Sequence, residues 1–364
     1  MENNKTPSIR FKGFTDPWEQ RKLGELCNIT TGKLDANAMV SDGQYDFYTS
    51  GIDVFKIDVA AFEGPAITIA GNGASVGYMH LADGKFNAYQ RTYVLTDFLA
   101  DRQFLNVAIG NELPDKIQEE VRGSGIPYIV LNMLTDLAIP FPSHEEQYAI
   151  GVYFQQLDNL ITLHQRKYNK LLNVKKSMLE KMFPKNGSNI PEIRFKGFTD
   201  PWEQRKFSDV IDIGSGMDYK HLGEGDIPVY GTGGYMLSVN KALSDAKDAI
   251  GIGRKGTIDK PYILRAPFWT VDTLFYCIPK ENYDLDFTSC IFQNVDWKKK
   301  DESTGVPSLS KVIINNVETA TPTFDEQKKI GNYFRSFDHL ITLHQRELEK
   351  LQNIKKSMLE KMFV

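Results

Sequence analysis

The 364-residue chain has only three cysteines, Cys27, Cys277 and Cys290. Odd in number and scattered, they suggest no disulfide framework, and without a C-x-x-C pair they offer no zinc site. A reducing cytoplasm is the expected location. No apolar run approaches the ~18 residues of a membrane span. The opening MENNKTPSIRF lacks the apolar stretch of a secretory leader, so membrane association is not expected. Neither sign of charge dominates: 43 basic and 47 acidic residues leave a net charge of −4, without the basic excess common in nucleic-acid binders. G-x-x-x-x-G-K-[ST] is missing, which argues against a nucleotide-driven motor.

What is present is a repeat. IRFKGFTDPWEQRK at 9–22 recurs unchanged at 193–206, and DNLITLHQRKYNKLLNVKKSMLEKMF at 158–183 recurs at 338–363 with six replacements. Repeats of this kind decide architecture before any other signal. Between these blocks the two copies share only a skeleton. Thr31-Gly32 matches Ser215-Gly216, and Tyr48-x-x-Gly51 matches Tyr230-x-x-Gly233. Ile69-x-x-x-Gly73 matches Ile252-x-x-x-Gly256, and Ser124-Gly125-Ile126-Pro127 matches Thr304-Gly305-Val306-Pro307. A constant frame with divergent inserts implies one geometry presenting two specificities.

The inserts read as β-rich. AAFEGPAITIAGNGASVGYMHL and DAIGIGRKGTIDKPYILRA are short apolar runs broken by glycines. The frames read as helix. Ser143-His-Glu-Glu146 and Thr323-Phe-Asp-Glu326 place a hydroxyl three residues before a glutamate, the capping-box pattern, and predict a helix over about 143–183. Within it Ile161, His164, Tyr168, Leu171, Lys175, Met178 and Met182 alternate by three and four. So do Ile341, His344, Leu348, Leu351, Lys355, Met358 and Met362. That spacing predicts pairing with a partner helix, the other copy being the natural one, with Lys175 and Lys355 fixing register. The histidines fit packed or rim positions better than ligand positions. Segment 159–185 carries seven basic residues against one acidic, a basic stretch in an otherwise acidic chain; a solvated helix face would account for it equally well.

A catalytic reading finds little support. Asp16-Pro17-Trp18 and Asp200-Pro201-Trp202 resemble the Asp/Asn-Pro-Pro-aromatic tetrad of amino-methyltransferases but lack the second proline; a turn burying the tryptophan is expected instead. Gly71-x-Gly73-x-x-x-Gly77 and Gly251-x-Gly253-x-x-Gly256 only loosely match a dinucleotide fingerprint and read as turns. Glu326-Gln-Lys328 looks like the end of a nuclease motif, yet copy one has Glu146-Gln-Tyr148, and Glu326 is expected to act as a cap.

IRFKGFTDPWEQRKLGEL, EEQYAIGVYFQQLDNLITLHQR and KKSMLEKMF together resemble the specificity subunit of type I restriction-modification systems, over nearly the whole chain. The resemblance implies an α+β fold with two β-rich target-recognition domains in pseudo-twofold tandem repeat, separated by two long helices packed as an antiparallel coiled coil. The corresponding divisions are 1–142 (frame and first recognition domain), 143–184 (central helix), 185–322 (linker, repeated frame and second recognition domain) and 323–364 (terminal helix). It further implies that each domain reads one half of a bipartite site in double-stranded DNA, and that the helices set the gap. The frames would dock two methyltransferase subunits, which hold S-adenosylmethionine, while this subunit has no cofactor, no metal and no catalytic residue. A restriction/translocase subunit completes the complex. Candidate base readers are polar, aromatic and basic residues of the glycine-rich loops: Thr49, Ser50, Asn72, Tyr89, Gln90 and Arg91 in copy one, and Lys220, Thr232, Arg254, Lys255 and Asp272 in copy two. Each is otherwise an ordinary turn residue. A scaffold whose β-rich domains bind protein, and a stand-alone enzyme, are the alternative readings.

Overall fold

A computed structural model describes residues 7–120, 127–185, 187–301 and 303–363. Ser124, Gly125 and Ile126 of the first matched tetrapeptide therefore lie outside the described residues. The chain forms two compact units: unit 1 is Met1–His164 with Glu347–Val364, and unit 2 is Gln165–Arg346.

Unit 1 runs β1 (Glu19–Lys22), α1 (Leu23–Leu26), β2 (Asn28–Thr31), β3 (Tyr45–Tyr48), β4 (Val54–Ile57), β5 (Phe62–Glu63), β6 (Ala66–Ala70), β7 (Met79–Ala82), β8 (Lys85–Ala88) and β9 (Thr92–Thr96). There follow α2 (Arg102–Glu120), α3 (Leu131–Thr135), β10 (Ala138–Phe141) and the start of the long helix α4 (His144–Lys181). Two four-stranded sheets form, ordered β2-β9-β6-β7 and β4-β3-β8-β5, and β1 pairs with β10. The AITIA run of β6 is buried along its whole length, as an inner strand covered on both faces must be. Tyr48, Ala66, Ala82, Phe86, Ala88 and Val94 make a small core drawn from both sheets. The larger core gathers Ile67, Ile69 and Leu95, the apolar face of α2, Trp18 and Phe154, and is completed by Met362 and Phe363.

Unit 2 repeats the plan with β11 (Glu203–Lys206), α5 (Phe207–Val210), β12 (Ile211–Ser215), β13 (Glu224–Gly231), β14 (Gly234–Val239), β15 (Ala249–Gly253), β16 (Tyr262–Leu264), β17 (Trp269–Thr270) and β18 (Leu274–Pro279). Then come α6 (Leu285–Asn294), α7 (Lys311–Asn315), β19 (Glu318–Thr321) and α8 (Phe324–Met362). Its sheets are β12-β18-β15-β16 and β14-β13-β17, with β11 paired to β19. The core centres on Trp202, Phe207, Phe287, Phe292 and Phe334 and is completed by Met182 and Phe183, the residues that follow α4. One glycine cluster differs from expectation. Gly251 and Gly253 lie inside β15 rather than in a turn, paired with Tyr276 and Leu274 of β18, and Gly253 must be glycine because a Cβ there would stand 2.0 Å from the Thr257 carbonyl oxygen. Gly71, Gly73 and Gly77 do follow β6 as a turn.

At 38 residues α4 is about 57 Å long. The heptad-like stripe is its covered face: Ile161, His164, Tyr168, Leu171, Lys175 and Met178 are all at least half-covered, while the intervening Arg166, Lys167, Lys170 and Lys176 are exposed. Within each unit α4 and α8 pack antiparallel. In unit 1 the Lys355 ammonium donates to Asp158 at 2.5 Å, and the Phe154 and Phe363 rings lie 6.3 Å apart. In unit 2 Lys175 donates to Asp338 at 2.5 Å and to Gln293 at 2.9 Å, and Phe183 lies 6.2 Å from Phe334. The two lysines that interrupt the stripe thus meet aspartates one helical turn after Phe154 and Phe334. Any register slip would strand a half-covered charge, which is how a polar group inside a seam specifies pairing.

Candidate nucleic-acid interface

The frame carries the β-rich inserts on the same polar scaffold in both units. Arg10 donates Nε and Nη2 to the Glu146 carboxylate at 2.9 and 2.6 Å, and Trp18 Nε1 adds a third bond at 3.1 Å. Arg194 grips Glu326 in the same bidentate way, at 2.7 Å on both oxygens. These hydrogen bonds hold both guanidiniums above their ordinary pKa. The glutamates are therefore not partners in a capping box, which is a correction. Ser143 Oγ does accept the Glu146 N–H at 3.4 Å, but both carboxylates are buried and turned to a largely covered arginine. The next residue has an equally fixed task. Gln147 donates to Pro142 O and accepts the Asp101 N–H at the head of α2; Gln327 does the same with Pro322 and Asp284 at the head of α6. Gly151 and Gly331 sit in mid-helix because a Cβ would stand within 2.9 Å of the Phe104 or Phe287 backbone nitrogen. Both tryptophans of the Asp-Pro-Trp turns are buried, as expected.

Strand pairing aligns the inserts residue by residue. Gly73 and Gly256 share φ +86°, and their N–H groups donate to Pro127 O and Pro307 O. Gly71 N–H donates to Arg91 O as Arg254 N–H donates to Thr273 O, and Tyr89 N–H to Tyr48 O as Val271 N–H to Tyr230 O. Asn72 bridges Tyr128 as Lys255 bridges Ser308. Three pairs of candidate residues hence occupy matched backbone positions: Asn72 and Lys255, and Gln90 and Asp272, differ in hydrogen-bonding chemistry, while Ser50 and Thr232 differ only by a methyl group.

In unit 1 the candidates form one neighbourhood. Ser50 Oγ donates to Asn72 Oδ1 at 2.7 Å, Tyr89 is half-buried beside them, and Gln90 and Arg91 are exposed. Thr49 is buried, its hydroxyl accepting the Gly51 N–H at 3.3 Å, so it shapes the turn rather than facing outward. In unit 2 Lys220, Thr232 and Asp272 line a cleft of about 680 Å³ together with Tyr235 and Met236. Arg254 and Lys255 line a second cleft, with Ser215 and Ser308. Arg254 joins the two groups, since its Nη1 reaches Asp272 O at 3.5 Å and its guanidinium lies over the Phe275 ring.

The sequence reading missed the apolar side chains that stand out at the same turns: Ile52 and Val54 in unit 1, Tyr235 and Met236 in unit 2. It also missed His80 and Tyr262. Only strand register shows that they sit behind those turns, and register is a property of pairing rather than of local pattern.

The three thiols are buried, and burial pushes Cys27 up to about 12 and the other two higher, away from nucleophilic reactivity. Among the described residues no cluster of histidine, cysteine and carboxylate could hold a metal, and no helix is long and apolar enough to cross a membrane.

Two segments of the chain, 15–173 and 199–353, match the family model described as the type I restriction modification DNA specificity domain. The chain belongs to this family. It is 29% identical over 400 residues to the type I restriction enzyme EcoDI specificity subunit of Escherichia coli, covering 95% of this chain and 88% of that protein. It is 24% identical over 385 residues to a putative type I specificity subunit of Mycoplasma genitalium, covering 98% and 96%. The crystal structure of a type I restriction-modification S subunit from M. genitalium superposes with a TM-score of 0.78 at 20% identity, covering 99% of both chains, which establishes the shared fold.

Proposed function

We propose that this chain is the sequence-reading subunit of a type I restriction-modification complex, each unit reading one part of a bipartite site in double-stranded DNA. The observation that carries the proposal is the contrast between frame and insert. The Arg–Glu pair, the Gln147 and Gln327 hydrogen bonds and the close helix approach at Gly151 and Gly331 are the same in both units, whereas Asn72/Lys255 and Gln90/Asp272 offer different donors and acceptors at one backbone position and Ser50/Thr232 keep a hydroxyl but differ by a methyl group. Base edges in the major groove are distinguished by such patterns. The catalytic steps fall to partners: two methyltransferase subunits holding S-adenosylmethionine, docked on the frames, and a restriction/translocase subunit. The complex acts on DNA in the cytoplasm, and the long helices set the separation of the two half-sites.

Exchanging residues 23–142 for the matching insert of another family member, with the methyltransferase co-expressed, tests this reading. The methylated motif, read by sequencing, is expected to change in one half and keep its letters in the other, and the chain expressed without the methyltransferase is expected to leave the DNA unmethylated. A motif altered in both halves would overturn the division of labour.

Arg254→Ala is expected to weaken binding to the specific site by about 1–3 kcal/mol and relax one position of the motif, with a much smaller effect on unrelated DNA. Equal weakening on all sequences, with the salt slope reduced by about one, would assign Arg254 to a phosphate instead.

A further inference from the structure

The turn that presents the readers is tied down in both units by a ring from the neighbouring sheet, and the two rings are chemically different. In unit 1 residues 49–53 connect β3 to β4; in unit 2 residues 231–234 make the corresponding turn between β13 and β14. Strand pairing places His80 opposite Thr68 and Tyr262 opposite Gly251. Counting back one residue from the matched Ile69 and Ile252, Thr68 and Gly251 are equivalent, so His80 and Tyr262 hold one position of the fold. Each packs on the tyrosine that leads into the turn and bonds a carbonyl of the turn, at different places along it, since Gly231 corresponds to Thr49 rather than to Gly51. The His80 ring lies 5.2 Å from Tyr48 and the Tyr262 ring 6.1 Å from Tyr230, the matched tyrosines that lead into the turns. His80 Nε2 meets Gly51 O at 3.4 Å, and the Tyr262 hydroxyl donates to Gly231 O at 2.6 Å.

We infer that His80 and Tyr262 are positioning residues for specificity, each fixing the reading turn of its own unit and acting on DNA only through that turn. The inference rests on the DNA-reading proposal above. The physical need is plain. The turns are made mostly of Gly, Thr and Ser, and the one large side chain among them, Ile52, is exposed, so little side-chain packing holds them, yet a side chain that reads a base edge must be held to within about half an ångström. A bond from a packed ring in the second sheet supplies that constraint without occupying the exposed face of the turn. Burial keeps both donors in the required state. It lowers the His80 pKa, leaving a neutral ring whose Nε2–H faces the carbonyl, and raises that of Tyr262, keeping its hydroxyl protonated. The same position filled by two different donors also explains why no shared motif marks it.

The test uses the full chain co-expressed with its methyltransferase, reading the discrimination of the methylated motif position by position, and the unfolding midpoint of the purified subunit. Tyr262→Phe is expected to lower discrimination about fivefold in one half of the site, the loss of one neutral hydrogen bond, with the other half unaltered. His80→Phe should act on the opposite half, and by less, because a 3.4 Å bond is weaker than one of 2.6 Å. His80→Gln, which restores an N–H donor, should recover discrimination, a rescue that a merely space-filling role would not produce. Unaltered discrimination in both Phe variants, or an equal loss in both halves tracking a lowered unfolding midpoint, would overturn the inference while a wild-type two-part motif left the DNA-reading proposal standing. A wild-type complex methylating no two-part motif would overturn both.

Discussion

Glu146→Ala is expected to destabilise unit 1 by about 3–5 kcal/mol, and Glu326→Ala to destabilise unit 2 by a similar amount. The carboxylates are buried, and each is the bidentate acceptor of an arginine that is itself nearly covered. Removing the acceptor leaves a largely covered guanidinium with only the weaker field of Asp16 or Asp200 to offset it, and that poorly compensated charge, rather than the lost attraction, is the larger part of the cost. Copy one should suffer more. Glu146 also accepts from Trp18 Nε1, whereas Trp202 Nε1 is buried without a partner, so Glu146→Ala orphans a further buried donor worth about 1–3 kcal/mol. Glu→Gln, keeping the shape and one acceptor, should fall between wild type and Ala in both units. Denaturant unfolding followed by hydrogen exchange resolved for each unit measures this. Equal protection in wild type and the two Ala variants would show that the pairs are dispensable.

Phe363→Ala and Phe183→Ala are expected to cost about 3–5 kcal/mol each, through lost burial plus the cavity left behind. Phe363 lies 5.9 Å from Trp18, 6.0 Å from Phe104 and 6.3 Å from Phe154. Phe183 is enclosed alike, 5.7 Å from Trp202, 5.6 Å from Phe287 and 6.2 Å from Phe334. Because Phe363 belongs to unit 1 and Phe183 to unit 2, Phe363→Ala should reduce hydrogen-exchange protection around Trp18 and Phe104, and Phe183→Ala around Trp202 and Phe287. Protection lost around Trp202 in Phe363→Ala would contradict the assignment.

Much of this was legible in the sequence because it depends on short-range pattern. The 3–4 spacing marked the covered face of both long helices, and the lysines within it marked the polar interruptions. The Asp-Pro-Trp turns announced buried tryptophans. Matched glycines marked matched turns, since Gly73 and Gly256 adopt a positive φ that L side chains rarely accept. The three matched candidate pairs came from loops that the glycines located. What failed were inferences about where a side chain turns. Glu146 and Glu326 have the spacing of a capping box, but an arginine more than 130 residues away in sequence outcompetes the local backbone for the carboxylate. Gly251 and Gly253 look like a turn, yet pairing with Tyr276 and Leu274 of a distant strand keeps both within β15.

The amino-acid sequence by itself determined that there are two copies of one plan, that each consists of a frame, a β-rich insert and a long helix, and which face of that helix is buried. Tertiary structure alone decided which core each helix end completes. KKSMLEKMF is the same in both copies, so Met182-Phe183 and Met362-Phe363 have the same affinity for either tryptophan-lined pocket, and no local preference can tell one from the other. The choice is made by chain length and direction. Residues early in α4 already line the unit 1 core, and a continuous helix of 38 residues, rising about 1.5 Å per residue, cannot return its far end to the core it starts from. The Trp18 pocket therefore receives the end of α8, and the Trp202 pocket the end of α4.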